Sequence, residues 1–476
     1  GIDPEYFRTN DHYFCVSGAI DHRGRETAPL HASEIEKIKA HFEKEGIRYA
    51  GIVGKFSVRN PKHELAVADI LGGVAEKVFM GHRTSGKLNF PRRIASTFLN
   101  ASVHSVHKNF FEAVKKSLEK KNLSMPIHIL KADGGTMNFE SSLDFPGQTI
   151  LSGPAASVMG SIAFGSRDGE DLALDIGGTT TDMAILINQV PLLNPLGIQV
   201  GPYKTLIRSL ETRSIGIGGD SRVRVQNGKL RVGPERLGPA MAYGGKGTTP
   251  TDGLVVLGLI TDQKADRNAA VEGLKSLAEA LGEPVSETAQ MIFDHTCDVI
   301  LSEAEKMLLE INSKPVYTVH ELLEDYTVKP GKILVLGGPA DHFAGNLEKR
   351  SGKKTRAVPR WPVANAIGAA LARTTCELTL FVDTQLGIAA APEEEFSQEI
   401  PKSFTRDQAL EIAYKLLREK AMRLGAHSED LALEIIEDLQ FNMVRGFSTA
   451  GKNMRFKIQV KPGLIHGYER LQPNAI

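Results

Sequence analysis

Apolar residues near the start of the chain recur at helical spacing in one stretch and form an unbroken run in the next. In "ASEIEKIKAHFEKEG", Ile35, Ile38 and Phe42 fall on one face of a helix. Ser33 and Glu36 have the spacing of a capping box, which predicts where this helix begins. The run "RYAGIVGKF" that follows is typical of a buried strand.

The same alternation continues to about residue 130. Asn60 and Pro61 predict a second helix, because Asn is a favourable cap and Pro suits the first turn. The segments "EKVFMG" and "PIHILKA" predict strands on either side of a long helix that runs roughly from Pro91 to Lys121. Strands that alternate with helices of this length form mostly parallel sheets with covered faces. We therefore expect an α/β fold.

Further along, glycine becomes dense between residues 145 and 260. "LALDI" and "MAILI" predict two strands joined by a loop rich in glycine and threonine, and "KILVLGGPADHF" predicts a buried strand that ends in a glycine turn. "VANAIGAALAR" predicts a helix of small residues. Beyond Cys376, an amphipathic helix with a capping box at Thr405 and Gln408 precedes a late strand, "MRFKIQV".

These changes in pattern divide the chain into three predicted segments. Residues 1–130 form a first α/β domain. Residues 131–375 form a second domain that contains the glycine-rich insertion. Residues 376–476 form a C-terminal α/β region.

Composition bears on partners and compartment more than on fold. Basic and acidic side chains both number 57 in 476 residues, so neither nucleic acid nor an anionic membrane is an expected partner. The three cysteines are far apart and lack zinc-site spacing, which is typical of a reducing compartment. The sequence contains no apolar run of membrane-spanning length and no signal-peptide pattern at its start. We therefore expect a cytoplasmic protein.

The loop "GGTTTD" concentrates polar chemistry in one turn. Glycines let backbone N–H groups approach a ligand, and consecutive amides form an anion-binding nest, so Gly177, Gly178 and the Thr179–Thr181 run suit phosphate. Asp175 ends the preceding apolar strand and suits Mg²⁺ or its waters. A plain β-hairpin is the alternative, but it needs neither three threonines nor that aspartate. The loop therefore favours a phosphate site.

Two common nucleotide motifs do not fit. None of the Gly-Lys pairs is followed by Ser or Thr, as a P-loop requires. The Rossmann fingerprint fails because "GIGGDS" has Ser221 at its last position. The phosphate loop lies between two predicted strands, which indicates another nucleotide-binding fold.

Two later segments narrow the choice. Gly337 and Gly338 end a buried strand before a predicted helix, which leaves a flat surface for a purine ring. "NAIGAALA" follows about thirty residues later and places small residues along a helix face. Ordinary packing of small residues explains each segment separately about as well. The informative feature is their order after the phosphate hairpin.

This order resembles the actin-like ATPase superfamily, in which "DIGGTTTD" corresponds to a phosphate loop, "VLGGP" to the adenosine loop and "NAIGAALA" to the interdomain helix. More closely, the chain resembles the hydantoinase A/5-oxoprolinase family from about Arg92 to Ala372. The resemblance is carried by "RRIASTFLNASV", by "LKADGGTM" with Asp133 in place of an Asn, by "TILSGPAASVMGS", and by "IGIGGDS", "VGPERLGPAMAYGGKG" and "TPTDGLVVLG".

The resemblance implies two actin-like domains of ribonuclease-H-like α/β fold. Family members normally carry two glycine-threonine phosphate loops, the first at the very start of the chain, but only "DIGGTTTD" is present here. We therefore expect the first domain to be incomplete, with half of the phosphate clamp upstream of Gly1. Independent ATP turnover by these 476 residues is correspondingly in doubt.

The resemblance also implies ATP and Mg²⁺ as cofactors and assigns roles to residues of the site. Asp175 would bind Mg²⁺, and it forms with Asp182 the catalytic pair, although capping of the loop backbone explains Asp182 slightly better. The other candidates fall into three groups: Gly177, Gly178, Thr179 and Thr180 for phosphate; Gly337, Gly338 and Pro339 for adenosine; Gly218, Gly219, Asp220 and Asp252 for nucleotide or substrate. Ordinary turn chemistry explains the third group almost equally well.

His104 and His107 are three residues apart on a predicted helix and could hold a metal. The sequence nearby offers no third ligand, so we favour a solvated or hydrogen-bonded pair.

The activity implied by the resemblance is ATP-dependent opening of a cyclic amide, such as a hydantoin or 5-oxoproline. One alternative is a subunit of an ATP-dependent ketone carboxylase, and another is an actin-like nucleotide-binding module without catalysis. The family often works with a second, hydantoinase B-type subunit, so we expect a partner subunit and an oligomer.

Overall fold

The computed structural model describes residues 7–166, 168–194, 196–313, 327–445 and 448–468. The helices in these ranges are α1 (Ala32–Glu45), α2 (Lys62–Leu71), α3 (Gly81–Thr84), α4 (Phe90–Lys120), α5 (Phe139–Ser142), α6 (Ser152–Ile162), α7 (Pro250–Val256), α8 (Arg267–Leu281), α9 (Val285–Ser313), α10 (Ala340–Ser351), α11 (Ala364–Leu371) and α12 (Arg406–Arg423).

The strands are β1 (Ala19–Ile20), β2 (Glu26–Ala28), β3 (Tyr49–Ile52), β4 (Lys77–Met80), β5 (His128–Leu130), β6 (Thr136–Asn138), β7 (Glu170–Ile176), β8 (Thr181–Ile187), β9 (Val190–Pro191), β10 (Gln199–Val200), β11 (Tyr203–Lys204), β12 (Thr212–Ile215), β13 (Val223–Gln226), β14 (Lys229–Val232), β15 (Lys332–Leu336), β16 (Lys354–Ala357), β17 (Glu377–Asp383), β18 (Ile388–Ala391), β19 (Phe396–Glu399), β20 (Leu433–Arg445) and β21 (Ser448–Val460).

Within the described residues the chain forms two compact units. The first combines Gly1–Ser152, Asn194–Ser209 and Arg373–Pro462, and the second combines Gly153–Leu193, Leu210–Ala372 and Gly463–Ile476. This grouping differs from the three predicted segments, because the region that follows Cys376 packs with the beginning of the chain.

The first unit contains several small sheets and one larger one. The larger sheet is antiparallel, with strand order β19-β18-β17-β21-β20, and α12 packs against it through a core that includes Leu380, Leu417 and Phe456. The parallel pair β3–β4 packs through Ala50 on a second core formed by α1 and α2, with Ile35 and Val67 at its centre.

A mostly parallel sheet was expected from the first 130 residues, and this expectation is only partly met. Among the described residues of that region, β3–β4 is the parallel pair, whereas β1–β2 is an antiparallel hairpin. The strand predicted from "PIHILKA" is β5, but it pairs antiparallel with β6. The connection between β5 and β6 is too short for a parallel crossover.

The helix boundaries test the predicted caps. The capping box at Thr405 and Gln408 is confirmed at the start of α12. The box predicted for Ser33 and Glu36 is wrong, because α1 already begins at Ala32 and has no side-chain cap. The carboxylate of Glu34 instead accepts hydrogen bonds from Ser17 at 2.6 Å.

The second unit is built on a mixed sheet with strand order β12-β8-β7-β15-β16, and β9 pairs with β8. β7 and β8 form the predicted antiparallel hairpin, and β15 runs parallel to β7 and β16. Helices α7 to α10 cover a core that includes Leu174, Ile185 and Phe343. The apolar residues of β7 and β8 are buried, so the sheet holds the loop between them firmly. Within the described residues, none of the helices combines the length and the apolarity that crossing a membrane requires.

Candidate functional site

The loop that joins β7 to β8 is a short turn with unused amide donors. Gly177 N–H donates to Thr180 O at 2.9 Å and closes the turn. Among the described residues, the amides of Gly178, Thr179 and Thr180 have no hydrogen-bond acceptor. Consecutive free amides in a tight turn are an anion-binding arrangement. Thr181 differs from the two threonines before it, because its buried hydroxyl donates to Ile217 O at 2.7 Å.

A second glycine turn, at Gly218 and Gly219, packs backbone to backbone against this loop. Gly219 N–H donates to Gly177 O at 2.9 Å, and Asp220 N–H donates to Gly178 O at 2.7 Å. A Cβ atom on Gly218 would lie 2.5 Å from Gly177 O, so a side chain there would separate the two turns. The structure therefore places Gly218, Gly219 and Asp220 against the loop that joins β7 to β8.

The carboxylates of Asp175 and Asp182 lie side by side where the hairpin strands end. The two residues are directly paired across β7 and β8, and Ser214 of β12 is paired with Asp182. Directly opposed residues in antiparallel strands project from the same face of the sheet. The Ser157 hydroxyl donates to Asp175 Oδ2, whereas Asp182 Oδ1 is buried and has no hydrogen-bond partner in the described residues.

Burial raises the pKa of both carboxyls. For Asp175, the hydrogen bond from Ser157 opposes this effect. For Asp182, the Ser214 hydroxyl opposes it and the negative charge of Asp175 adds to it. Two adjacent, desolvated carboxylates repel each other when both are ionised, and a cation would remove that repulsion.

These residues fit Mg²⁺ in its usual form, in which one or two carboxylates and several waters share the ion with phosphate oxygens. The described residues contain no group of three or more His, Cys, Asp or Glu side chains arranged for a metal. The unpartnered Asp182 Oδ1 is the atom that most needs a cation.

The turn after β15 lies against the carboxylate of Asp175. Gly337 has a φ of 96°, and a Cβ atom there would collide with Ile176 O and Asp175 Oδ1. Gly338 is exposed and has open space where a side chain would begin. Pro339 precedes α10, and its Cγ would lie 3.7 Å from a Cβ on Gly219. Three glycine turns from separate parts of the sequence therefore converge on one edge of the sheet.

The small residues of α11 have a packing role within the second unit. A Cβ atom on Gly368 would collide with the backbone of Gly160 in α6, and a Cβ on Gly160 would collide with Ala364 O. The two helices therefore touch through their backbones, which explains the composition of "NAIGAALA".

Asp252 has structural contacts rather than a position open to substrate. Its side chain is fully buried and forms a capping box with Thr249 at the start of α7. Its carboxylate also accepts hydrogen bonds from the amides of Met241 and Ala242, at 3.2 and 2.8 Å. The turn role that the sequence left open is therefore the one that this geometry favours.

The histidine pair on α4 is also structural, as favoured from the sequence. One ring nitrogen of His104 lies 3.1 Å from Leu143 O, and His107 Nε2 lies 2.8 Å from Ser142 Oγ. Burial lowers the pKa of His107 to about 4.

Three residues at the site were not predicted from the sequence. Ser157 and Ser214 contact the two carboxylates. Arg236 bridges the loop between β7 and β8 to Asp220, because its Nη1 lies 3.1 Å from Thr179 Oγ1 and its Nη2 lies 2.8 Å from Asp220 Oδ2. Tertiary structure brings them there. Arg236 lies in the stretch "VGPERLGP", where its positive charge was the feature of the sequence that could have identified it as a site residue.

Two relatives of this chain work as enzyme subunits, as their names state. It is 23% identical over 363 residues to the caprolactamase subunit alpha of Pseudomonas jessenii, covering 72% of this chain and 50% of the relative. It is 24% identical over 463 residues to the acetophenone carboxylase gamma subunit of Aromatoleum aromaticum, covering 90% and 60%. The chain therefore matches only about half of the length of these relatives.

Two solved structures share the fold. The nucleotide-free structure of acetone carboxylase superposes with a TM-score of 0.65 at 16% identity, over 97% of this chain and 70% of that chain. The ATP-dependent caprolactamase of Pseudomonas jessenii superposes with a TM-score of 0.66 at 19% identity, over 95% and 70%. At these identities the likeness establishes the fold alone.

Family profiles match most of the chain. The profile described as the hydantoinase/oxoprolinase N-terminal region matches residues 5–74, and the profile described as hydantoinase/oxoprolinase matches residues 93–378, which is more than half of the chain. The second match contains all three glycine turns and both aspartates of the site. The chain therefore belongs to the hydantoinase/oxoprolinase family.

Proposed function

We propose that this chain binds ATP and Mg²⁺ and serves as the phosphorylating subunit of an enzyme that opens a cyclic amide. The observation that carries the proposal is the convergence of the three glycine turns on the Asp175–Asp182 pair. This arrangement combines free amide donors, a carboxylate pair that needs a cation, and an open glycine surface.

Each part of the site has a proposed task. The amides of Gly178, Thr179 and Thr180 bind phosphate oxygens, and the Thr179 and Thr180 hydroxyls add further donors. Asp175 and Asp182 hold the metal, and Ser157 and Ser214 orient those carboxylates. Gly337, Gly338 and Pro339 face the adenosine. When bound, Mg²⁺ would supply positive charge to neutralise the phosphates.

Transfer of the γ-phosphoryl group to the amide oxygen makes the ring carbonyl carbon more electrophilic, so that water can add to it. The ring C–N bond then breaks and the nitrogen leaves with a proton, and a second water hydrolyses the resulting acyl phosphate to a carboxylate and inorganic phosphate. Phosphoryl transfer requires positioning and charge stabilisation more than covalent participation by the protein. Asp182 fits this requirement as an orienting carboxylate, because its buried Oδ1 has no hydrogen-bond partner among the described residues. Asp220 and Asp252 have protein contacts that favour structural tasks.

A carboxylase is the second candidate. It is supported by the coverage of 90% of this chain in the comparison with the acetophenone carboxylase gamma subunit. The same phosphate chemistry would serve a ketone and bicarbonate as substrates. Both relatives are named as subunits, so we also propose a hydantoinase B-type partner and an oligomeric enzyme.

The test is ATP hydrolysis by the chain, with the proposed partner subunit supplied. Addition of 5-oxoproline, a hydantoin or caprolactam should stimulate hydrolysis if the enzyme opens cyclic amides. Stimulation only by a ketone with bicarbonate would select the carboxylase. Nucleotide binding without stimulation by any of these substrates would contradict both activities and favour a nucleotide-binding module.

A further inference from the structure

Arg236 brings a guanidinium group to the phosphate loop. Its Nη1 donates to Thr179 Oγ1 at 3.1 Å, its Nη2 donates to Asp220 Oδ2 at 2.8 Å, and its Nε lies 3.3 Å from Gly238 O. The side chain is 43% exposed. The guanidinium is therefore held beside the free amides of the loop and remains accessible to a ligand bound there.

The other arginines near Arg236 are paired differently. Arg222 Nη1 and Arg224 Nη1 lie 3.0 and 3.1 Å from the same carboxylate oxygen of Glu235. Glu235 is therefore occupied by two cations, and Arg236 has Asp220 as its carboxylate partner. Arg236 therefore lies next to Thr179, and its carboxylate partner, Asp220, could be replaced by an anion that binds the guanidinium more strongly.

The contact between Arg236 and Asp220 is suited to exchange. An exposed ion pair contributes little net stability, because water solvates both ions and each side chain loses conformational freedom. A guanidinium binds phosphate through paired, charge-assisted hydrogen bonds that match its planar fork. Asp220 Oδ2 would also lie 2.8 Å from a Cβ on Gly178, so this carboxylate is near the oxygens of a phosphate on the loop and would repel them.

We propose that Arg236 binds a phosphate group of the nucleotide and that Asp220 holds this arginine in place before the nucleotide binds. The proposal rests on the proposed function, because it takes ATP as the ligand of the loop. On binding, the guanidinium exchanges Asp220 Oδ2 for phosphate oxygens and stays next to Thr179. The two residues then have opposite effects, since Arg236 attracts the nucleotide and Asp220 competes with it for the same donors.

Titration of the chain with Mg²⁺-ATP, followed by calorimetry, tests this proposal. Arg236→Ala should weaken ATP binding about tenfold or more, because charge-assisted bonds to phosphate are lost. Arg236→Lys keeps the charge without the fork and should lie between the wild type and the alanine variant. Asp220→Asn should instead tighten binding several-fold, because the arginine is released from a competing carboxylate.

Arg231→Ala is the matched control, since Arg231 is an exposed arginine on β14 that has no role in the proposed site. The Arg231→Ala variant should bind Mg²⁺-ATP with the same affinity as the wild type. The proposal is overturned if Arg236→Ala behaves like this control, or if Arg236→Ala and Asp220→Asn weaken binding equally, which a purely structural ion pair would produce. Retention of the wild-type melting temperature by Arg236→Lys keeps the comparison valid if the alanine variant is unstable.

The same titration separates this proposal from the proposed function. If the wild type does not bind ATP, both fail. If the wild type binds ATP and Asp175→Asn abolishes the Mg²⁺ dependence of binding, but the Arg236 variants are unchanged, only the role of Arg236 is excluded.

Discussion

At the scale of single residues, the site depends on a pair of carboxylates that, together with their hydroxyl partners, come from four different elements. Asp175 and Asp182 lie on β7 and β8, Ser214 is on β12 and Ser157 is on α6. The polar contacts of this pair within the protein come from hydroxyl groups, and they leave Asp182 Oδ1 unpaired in the described residues. This unpaired oxygen supports the proposed binding of a cation by the pair.

We predict that Asp175→Asn lowers Mg²⁺-dependent ATP turnover by at least about 100-fold, a typical loss when a group that stabilises transition-state charge is removed. Turnover with and without Mg²⁺ is the measurement, with the proposed partner subunit supplied. Asp168→Asn is the control, because Asp168 is an exposed carboxylate in the second unit. Equal turnover in the two variants would exclude Asp175 as a metal ligand.

The raised pKa values predict a dependence of stability on pH. A carboxyl whose pKa is raised on folding adds stability that is complete below its unfolded pKa, near 3.8, and is lost as the pH rises through the folded pKa. Ionisation of each of these carboxyls therefore costs folding stability. Asp182→Asn should raise the melting temperature at pH 7, without Mg²⁺, by about 2 °C.

The difference between Asp182→Asn and the wild type should shrink as the pH falls toward 4, and Mg²⁺ should stabilise the wild type more than the variant. A variant that melts below the wild type at pH 7 without Mg²⁺ would show that Asp182 stabilises the fold by another route.

The residues that the sequence identifies and those that it misses differ in a physical way. Asp175 and Asp182 flank one local hairpin, so their register is set by a few adjacent residues, and sequence spacing predicts it. Arg236 is 57 positions from Thr179, and only the packing of the Gly218–Gly219 turn brings the two together. Contacts of this kind have no local pattern in the sequence.

At the scale of elements, the glycine turn after β15 is the part of the site with the narrowest steric tolerance. Gly337→Ala should destabilise the chain by about 2 kcal/mol or more, because the backbone is left-handed there and the new methyl would collide with Asp175. Gly338→Ala has open space and should change stability by no more than about 0.5 kcal/mol. Urea unfolding measures both, and equal effects would contradict the described packing.

The elements themselves were largely predictable. The hairpin β7–β8, the strand β15 with its turn, and the helices α4 and α11 follow from local apolar periodicity and glycine position. The failed capping box at Ser33 shows the limit, because a contact between Glu34 and the distant Ser17 accompanies a different helix start. The pairing of strands in the first unit could not be predicted from the sequence either, because loop length and tertiary packing determine it.

At the scale of the whole molecule, the two compact units should respond differently to nucleotide. All the proposed nucleotide contacts belong to the second unit, and a ligand at 100 times its dissociation constant adds about 2.7 kcal/mol to the stability of the state that binds it. Hydrogen exchange with Mg²⁺-ATP should therefore slow in Glu170–Ile187 and Lys332–Gly338, while exchange in Leu433–Arg445 of the first unit changes little.

Addition of Mg²⁺ and AMP, which lacks the phosphates expected on the loop, is the control for that measurement. Slower exchange in the first unit alone would place the nucleotide elsewhere and contradict the proposed site.

The contact between the β7–β8 loop and the Gly218–Gly219 turn determines which hydrogen-bonding groups the loop can offer to a ligand. The carbonyl oxygens of Gly177 and Gly178 accept the amides of Gly219 and Asp220, so these two acceptors are used inside the protein, whereas the amides of Gly178, Thr179 and Thr180 have no acceptor among the described residues. The backbone of the loop therefore offers a ligand more hydrogen-bond donors than acceptors. A side chain at Gly218 would separate the turns and release those two oxygens. The same four-residue loop, with an unchanged sequence, would then present these two acceptors to a ligand as well as its donors, which would weaken the proposed binding of an anion.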